Sequence, residues 1–381
     1  MAVTAARTVV PESADDAAHT LRAAADAGEH VRIRGGGTRS GWGNVTPAPD
    51  VVLATSGLHR IVEHNEGDLT AVLEAGVPLR AALEQFADAG QMLALDPPSA
   101  PEATVGGLFA TGDSGPLRHR YGAARDLIVG ITVALPDGTV AKAGGKVIKN
   151  VAGYDLSKLL TGAFGTLGAI VQVAVRLHPR PPETVTARGI CDDAGRLQAA
   201  CSALAHRPLE AESLDVAWSS GRGAVLARFG GATARRGADA AAAALRERGC
   251  EVDVVEDDAD LWERQRGHQR SKDQCVVKVS ALPADLPRVL AAADAESATV
   301  VGRAALGLSW ITLSGGAEAI ERLRAALAPA ACVVADAPED VRTAVDPWHT
   351  DTAEPLVLLR RVKERFDPSG TCNAGLYVGG I

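Results

Sequence analysis

Glycine-dense loops, each beside an apolar segment, constrain this chain more than any other feature. The first runs Gly35 to Gly43, and the second pairs Thr104-Val105-Gly106-Gly107 with Gly112-Asp113-Ser114-Gly115-Pro116. The third is Lys149-Asn150-Val151-Ala152-Gly153-Tyr154-Asp155-Leu156, and the fourth is Gly162 to Gly168. Glycine in a regular element costs roughly 0.5–1 kcal/mol relative to alanine, so it gathers where backbone must curl tightly or approach a ligand. Arg34-Gly35-Gly36-Gly37-Thr38-Arg39-Ser40 directly follows an apolar strand pattern at Val31 to Arg34. Successive N–H groups in such a loop can converge on an anion. Thr38 and Ser40 add hydroxyls, and Arg34 and Arg39 add positive charge. One such loop is ordinary turn chemistry; four in this order suit a long diphosphate ligand that needs several backbone approach points.

Two better-known nucleotide fingerprints fail. A G-x-G-x-x-G counted from Gly35 would need glycine at Ser40, and a P-loop counted from Gly36 would need lysine at Trp42. A nucleotide here is therefore held in another fashion.

The length of 381 residues suggests two or three domains. With 46% hydrophobic and 23% charged residues the usage is that of a globular chain, and with 3% aromatics Ala, Val and Leu must fill the core. The net charge of −8 and the absence of a basic stripe argue against a nucleic-acid partner. The six cysteines form no C-x-x-C pair, which argues against a zinc or iron–sulfur site held by this chain alone. Their wide spacing, and an N-terminus without an apolar signal core, fit a reducing cytoplasm. No apolar run approaches the length of a membrane span, which leaves at most peripheral attachment to the inner face of a membrane.

Along the chain, Ser13 with Asp16 reads as a helix start and Gly28 as its end. Asn65-Glu66-Gly67-Asp68 and Asp137-Gly138 read as hairpin turns. Leu79 to Ala89 reads as a helix, Leu167 to Leu177 as a strand, and Asp96 to Gly122 as too irregular for one element. Arg180-Pro181-Pro182 looks like a boundary. Beyond it, Leu214–Trp218, Ala224–Phe229, Asp239–Arg248 and Glu251–Val255 make a strand–strand–helix–strand run. A second set follows: strand Gln274–Val279, a helix near Leu286–Ala293, strands near Thr299 and at Leu308–Leu313, and helix Ala317–Leu327. Two such sets predict an α+β chain whose second half is an antiparallel sheet with helices on one face. The tail helix, Leu356 to Phe366, stops at Asp367-Pro368.

Together these motifs resemble the vanillyl-alcohol-oxidase (VAO, or PCMH-type) FAD-binding superfamily, and within it the FAD-binding (E) subunit family of glycolate oxidases. The residues that carry the resemblance are the Arg34–Thr38 loop, Asp96-Pro97-Pro98, Ala103 to Gly107, Ser114-Gly115-Pro116 with Arg118, Lys149 to Asp155, Gly165 to Gly168, and Phe366 to Gly370 with Asn373 and Gly375. The likeness is dense over residues 30–180, weaker over 181–340, and clear again over 355–378.

That resemblance implies a two-lobed FAD-binding domain over residues 1–180, a substrate-covering cap over 181–350, and a segment, 351–381, returning to the first domain. It implies that Gly35, Gly36, Gly37, Thr38 and Ser40 hold the pyrophosphate beside Arg34 and Arg39. Thr104, Val105, Gly106, Gly107, Thr111 and Ser114, with Pro98 before them, would line the flavin and its ribityl chain. Gly153, Tyr154, Asp155 and Ile170 would contact the adenosine side, and Asn373 would approach the isoalloxazine. Thr38 and Arg39 stand where members with covalent flavin carry histidine, so FAD is expected to be non-covalent. Related dehydrogenases hold a metal with paired cap histidines. The closest pair here, His59 and His64, lies outside the cap, so no metal is expected. Ala374 replaces the usual tail proline.

The implied activity is oxidation of a small 2-hydroxy acid such as glycolate. Arg118 and Arg120 are candidates for the carboxylate, and His119 or His349 for the base. The implied partners are a sister flavoprotein subunit and an iron–sulfur subunit. Three other readings stay open at this point: an electron-transfer or assembly subunit without its own substrate, a stand-alone oxidase of a specialised metabolite, and a binding module.

Overall fold

The computed structural model describes residues 6–98, 100–146, 156–350 and 353–381. The chain is α+β, and its strands fall into separate sheets before and after residue 180. In the first part a parallel three-stranded sheet has the order Arg7–Val9, Val51–Ala54, Val31–Arg34. Helix Ala14–Ala27 packs on it. The Ser13 hydroxyl accepts the Asp16 N–H at 3.1 Å, and Gly28 ends the helix at φ 69°. The second sheet is antiparallel, in the order Ile61–Asn65, Thr70–Glu74, Ala169–Arg176, Ile128–Ala134, Val140–Gly144. Thr70–Glu74 is buried at every position, as a strand packed on both faces must be. The stretch expected to be irregular contains helix Val105–Thr111, capped by Thr104, and the short helix Arg118–Tyr121.

The later part is one eight-stranded antiparallel sheet. Its order is Glu251–Val255, Thr184–Cys191, Arg222–Gly230, Ser213–Ser219, Thr299–Arg303, Leu308–Leu313, Cys275–Ser280, Ala331–Asp336. Strand alternation sorts its side chains onto two faces. Leu214, Val216, Val300, Ile311, Val277 and Val279 join the core under helices Ala194–Ala205, Ala234–Glu247, Leu286–Ala295 and Ala317–Leu327. Their strand neighbours Ala217, Val301, Trp310 and Val276 occupy the opposite face, where Trp42 from the first glycine loop packs on them. Helix Ala259–Gly267 also lies on this second face: its Trp262 donates to Thr186 Oγ1 at 2.8 Å and its Gln265 to Asp215 Oδ2 at 2.9 Å. The helices are thus not confined to one face. The sheet's second face meets the N-terminal lobe, and Trp42 Nε1 donates to Asp336 Oδ1 at 3.0 Å across that seam.

After helix Ala353–Phe366 the chain returns to the first sheet, where Cys372 bridges Val31 in parallel. Asp367 organises the return. Its oxygens accept the N–H groups of Thr371 at 3.0 Å and Cys372 at 2.7 Å, and the Lys363 ammonium at 2.6 Å. Its side chain is 0% exposed. Asp367→Ala would orphan those donors in a site closed to water. We expect a loss of roughly 3 kcal/mol in a urea titration, with Asp367→Asn, which keeps one acceptor oxygen, losing less. Equal midpoints for Asp367→Ala and the wild type would refute this reading.

Among the described residues no helix is long and apolar enough to cross a membrane.

Candidate functional site

A cleft of about 470 Å³ opens where the first glycine loop meets helix Val105–Thr111. Gly35, Gly36, Gly37, Gly106, Gly107 and Gly165 present bare backbone to it. Only part of that bareness serves a ligand. A Cβ on Gly36 would sit 1.5 Å from the Glu102 carbonyl oxygen, and one on Gly35 would sit 2.2 Å from Thr104 Oγ1. One on Gly106 would lie 2.5 Å from Ala75 Cβ. These glycines let two loops and a strand close on one another, and the packed loops form the cleft wall. Gly37 differs: at φ 72° it turns the chain, and the Ser40 amide and hydroxyl both donate to its carbonyl.

Arg34, Thr38, Arg39, Ser40, Thr104, Thr111, Ile170 and Asn373 also line the cleft. Several do other work than the sequence suggests. The Ser40 hydroxyl donates to Gly37 at 2.8 Å, so its proton is already placed. Thr111 donates to Gly107 at 2.9 Å. Arg39 is buried, and its guanidinium is neutralised by Asp113 at 2.5 and 2.9 Å. It fixes the loop and leaves Thr38, whose Oγ1 accepts from Arg39 Nη1, with a free hydroxyl proton. Asn373 spans three segments: Oδ1 accepts the Ile33 N–H at 2.8 Å and Nδ2 donates to the Phe164 carbonyl at 2.6 Å. Its φ of 43° fits asparagine better than most residues.

Val105 and Pro98 do not line this cleft; Val105 lies in the hydrophobic core. Ser114 is buried behind it, its amide bonded to its neighbour Asp113 at 2.9 Å. Gly153, Tyr154 and Asp155 lie outside the described residues.

Residues not singled out from the sequence complete the cleft. Arg32 and Arg342 bring positive charge, Arg342 from the cap helix Glu339–Ala344. Neither pairs with a carboxylate among the described residues, and the Arg342 Nε is buried without a partner. Burial holds the Arg32 guanidinium below its ordinary value. Phe164 forms one apolar wall, braced edge-on by Trp348 at 5.0 Å and by the tilted ring of Tyr377 at 5.6 Å. A charged diphosphate bordered by flat rings fits such a lining: glycine backbone, three cations without carboxylate partners among the described residues (Arg32, Arg34 and Arg342), and an aromatic wall.

Residues 5–144 match the family model described as an FAD binding domain. The N-terminal lobe is an FAD-binding domain. Curated relatives align over the same region. The glycolate oxidase subunit GlcE of Escherichia coli is 39% identical over 132 residues, 34% of this chain and 38% of that protein. The subunit GlcD of Bacillus subtilis is 31% identical over 173 residues, 45% and 37%. The mitochondrial cytochrome D-lactate dehydrogenase of Arabidopsis thaliana is 32% identical over 179 residues, 47% and 31%. The alignments thus span about a third of each relative. Two solved structures of alkyldihydroxyacetonephosphate synthase share the fold, with TM-scores of 0.70 and 0.72 at 16% and 15% identity, over 96% of this chain and 76% of theirs.

Beside the FAD-binding domain lies a second polar centre, built by the second face of the eight-stranded sheet. Lys278 pairs across strands with Trp310, and Trp310 with Val301, so Arg303, two residues on, shares their face. The Arg303 carbon Cζ lies 4.3 Å from the Trp310 ring centroid and the Lys278 ammonium 5.6 Å from it. Arg303 is 0% exposed. Its Nε donates to the Gly115 carbonyl at 3.3 Å, and neither Nη1 nor Nη2 has a hydrogen-bond partner among the described residues. Arg118 joins this charge field: burial, then Arg303, holds it below its ordinary value, and burial with Arg118 does the same to Lys278. Of the nearby carboxylates, Asp113 is engaged by Arg39, and Asp96 by the Leu117 amide at 3.0 Å and Arg266 at 3.7 Å. Asp215 accepts from Gln265 through Oδ2, while its Oδ1 is buried without a partner among the described residues and lies in the field of Arg303. Asp96 sits at φ 30° and its carbonyl oxygen would lie 1.7 Å from a Cβ on Gly115, so it and Arg303 flank the same residue.

The expected bases fall elsewhere. His119 lines a separate cavity with Arg120 and Phe229. Burial and Arg120 hold its pKa down. Arg120 donates to the Glu210 carbonyl at 2.7 Å. His349 Nδ1 accepts the Cys332 N–H at 3.2 Å. Of the catalytic candidates only Arg118 joins the cationic centre. No group of metal-ligating side chains is found among the described residues.

Burial pushes the Asp96 carboxyl up to about 7, against the pull of Arg266 and Arg303, and the Asp215 carboxyl up to about 6. A carboxyl with a raised pKa in the fold binds its proton more tightly there than in the unfolded chain. Its contribution to stability is full below the unfolded value near 3.8 and is lost as pH rises toward about 7. Asp96→Asn should therefore flatten the fall of melting temperature across that window. An unchanged slope in the variant would contradict the assignment.

Proposed function

We propose that this chain is an FAD-dependent oxidoreductase that oxidises a small 2-hydroxy acid of the glycolate or D-lactate class, holds its FAD non-covalently, and passes electrons to a partner. The observation that carries the reading is the fully buried Arg303, whose Nη1 and Nη2 lack partners among the described residues, on the cap face opposite the FAD-binding domain. An unpaired buried cation is costly unless an anion completes it, and a guanidinium fork matches a carboxylate. In this reading residues 1–180 bind the cofactor, 181–350 cover the substrate and 351–381 brace the cleft through Asn373.

Arg32, Arg34 and Arg342, with the glycine-loop amides, would hold the diphosphate. FAD, when bound, supplies the acceptor for the electrons leaving the substrate. Arg303 receives the substrate carboxylate, with Lys278 and Arg118 adding field. Asp96 takes the hydroxyl proton on its carboxylate, since a base that titrates near neutrality suits that task. Activity should then rise as pH climbs through about 7, the opposite sign to the stability trend.

The likeness to bacterial subunits of glycolate oxidase favours a second reading in which this chain transfers electrons within a complex and a sister flavoprotein or iron–sulfur subunit does the chemistry. Mixing the purified chain with glycolate or D-lactate without oxygen separates the two. Bleaching of the flavin band by substrate alone supports the first reading. A flavin that dithionite reduces and no 2-hydroxy acid touches supports the second. Native co-purification then identifies the partner.

A further inference from the structure

Cys191 and Cys250 are thiols that the proposed chemistry leaves unused. The strand Thr184–Cys191 pairs antiparallel with Glu251–Val255, and Ile190 faces Glu251. Cys191 and Cys250 therefore occupy the next opposed positions of the ladder. Both join the core beneath helix Ala234–Glu247, at 2% and 7% exposure. Their sulfurs lie 2.7 Å apart. A disulfide bond is about 2.0 Å long, so closure needs the sulfurs to move well under 1 Å, from a backbone pairing that already holds them opposed.

We propose that Cys191 and Cys250 form a reversible disulfide that staples the edge strand Glu251–Val255 to its neighbour in the cap sheet. The oxidant is a small-molecule disulfide. Cys250 is the entry point because it is the more exposed of the two and immediately precedes an edge strand, just after Gly249 at φ 75°. Its thiolate attacks one sulfur of the oxidant and expels one thiolate, leaving a mixed disulfide. The Cys191 thiolate then attacks the Cys250 sulfur and expels the second. Two cysteine thiols become one disulfide, and the oxidant, gaining their two protons and two electrons, becomes two thiols. Burial and the neighbouring Cys250 thiol raise the Cys191 pKa, so the second step is slow in the closed sheet and proceeds when the edge strand opens. The bond encloses the chain from 191 to 250, including strands Ser213–Ser219 and Arg222–Gly230, and so withholds conformational freedom from the unfolded cap.

The test uses the full chain, fully reduced and then incubated with oxidised glutathione at neutral pH. Intact mass should fall by two hydrogens. Thiols titrated after denaturation should drop from the six cysteines to four. A non-reducing peptide map should join the peptides carrying Cys191 and Cys250. The oxidised form should melt several degrees higher, and dithiothreitol should reverse the shift. Cys191→Ser and Cys250→Ser should abolish both the bond and the shift, and Cys201→Ala, at a thiol close enough to act electrostatically on both, should keep them. Six surviving thiols, a stable glutathione adduct, or a link through Cys201 would each overturn the proposal. The wild-type map decides the matter even if a serine variant fails to fold.

Discussion

Arg303→Met is expected to abolish most turnover while leaving the protein as stable as before, or more so. The two effects separate because the guanidinium is a liability in the fold and an asset in the site. At 0% exposure it carries one 3.3 Å hydrogen bond and a ring contact, and two of its nitrogens have no hydrogen-bond partner among the described residues. Replacing a buried, poorly paired charge with an apolar side chain of similar length is often neutral or stabilising. A substrate carboxylate that loses a buried guanidinium forfeits about 3 kcal/mol, roughly 10²-fold in kcat/KM. Arg303→Lys keeps the charge without the fork and should fall between the two. The checks are steady-state kinetics and a thermal melt on the same preparations. A variant that turns over glycolate or D-lactate at the wild-type rate, or one that unfolds, would remove Arg303 from the substrate site and return it to the architecture.

Gly36→Ala is expected to produce a protein that no longer retains FAD. The added carbon would stand 1.5 Å from the Glu102 carbonyl oxygen, which is backbone and cannot rotate away. The two loops must part, and the cleft wall that Gly35, Gly36, Gly106 and Gly107 share would open. The loss should exceed 10²-fold in FAD affinity, since several backbone approach points move together (about 3 kcal/mol). Gly37→Ala is the informative companion. There the added carbon meets nothing closer than 3.4 Å, so the cost is the strain of φ 72°, about 1 kcal/mol, and flavin should be retained. Titrating each apoprotein with FAD by flavin fluorescence would rank them, and equal affinity for Gly36→Ala and the wild type would show that the loop contact is dispensable.

Much of the fold was legible because local chemistry and tertiary structure agree. Ser13, Asp16 and Gly28 bracket a helix in the sequence and cap it in the structure. Helix Ala317–Leu327 starts and ends where its pattern does. Helix Val105–Thr111 was hidden because Gly106 and Gly107 weaken any helical reading, and Gly106 is there for its contact with Ala75. Strand Thr184–Cys191 was hidden by its position just after Pro181-Pro182, which reads as a boundary. For the cleft, runs of glycine announced the right loop, yet the reason differs: close packing of backbone on backbone leaves no signature beyond the glycines themselves. Arg39 looked like a phosphate ligand until Asp113, far along the chain, claimed its charge. Of the cationic centre, only Arg118 was legible. Lys278, Arg303 and Trp310 come from separate strands, and only their register places them on one face.

The most direct measurement follows the cofactor itself. The purified chain, incubated with FAD and freed of excess by gel filtration, is precipitated with acid, and flavin is assayed in supernatant and pellet. A cleft lined by glycine backbone and guanidinium groups, holding its cofactor without a covalent tether, should release about one FAD per chain into the supernatant and leave the pellet colourless. Protein that emerges from the column without flavin would contradict the cleft as an FAD site, and a pellet that stays yellow would contradict a non-covalent cofactor.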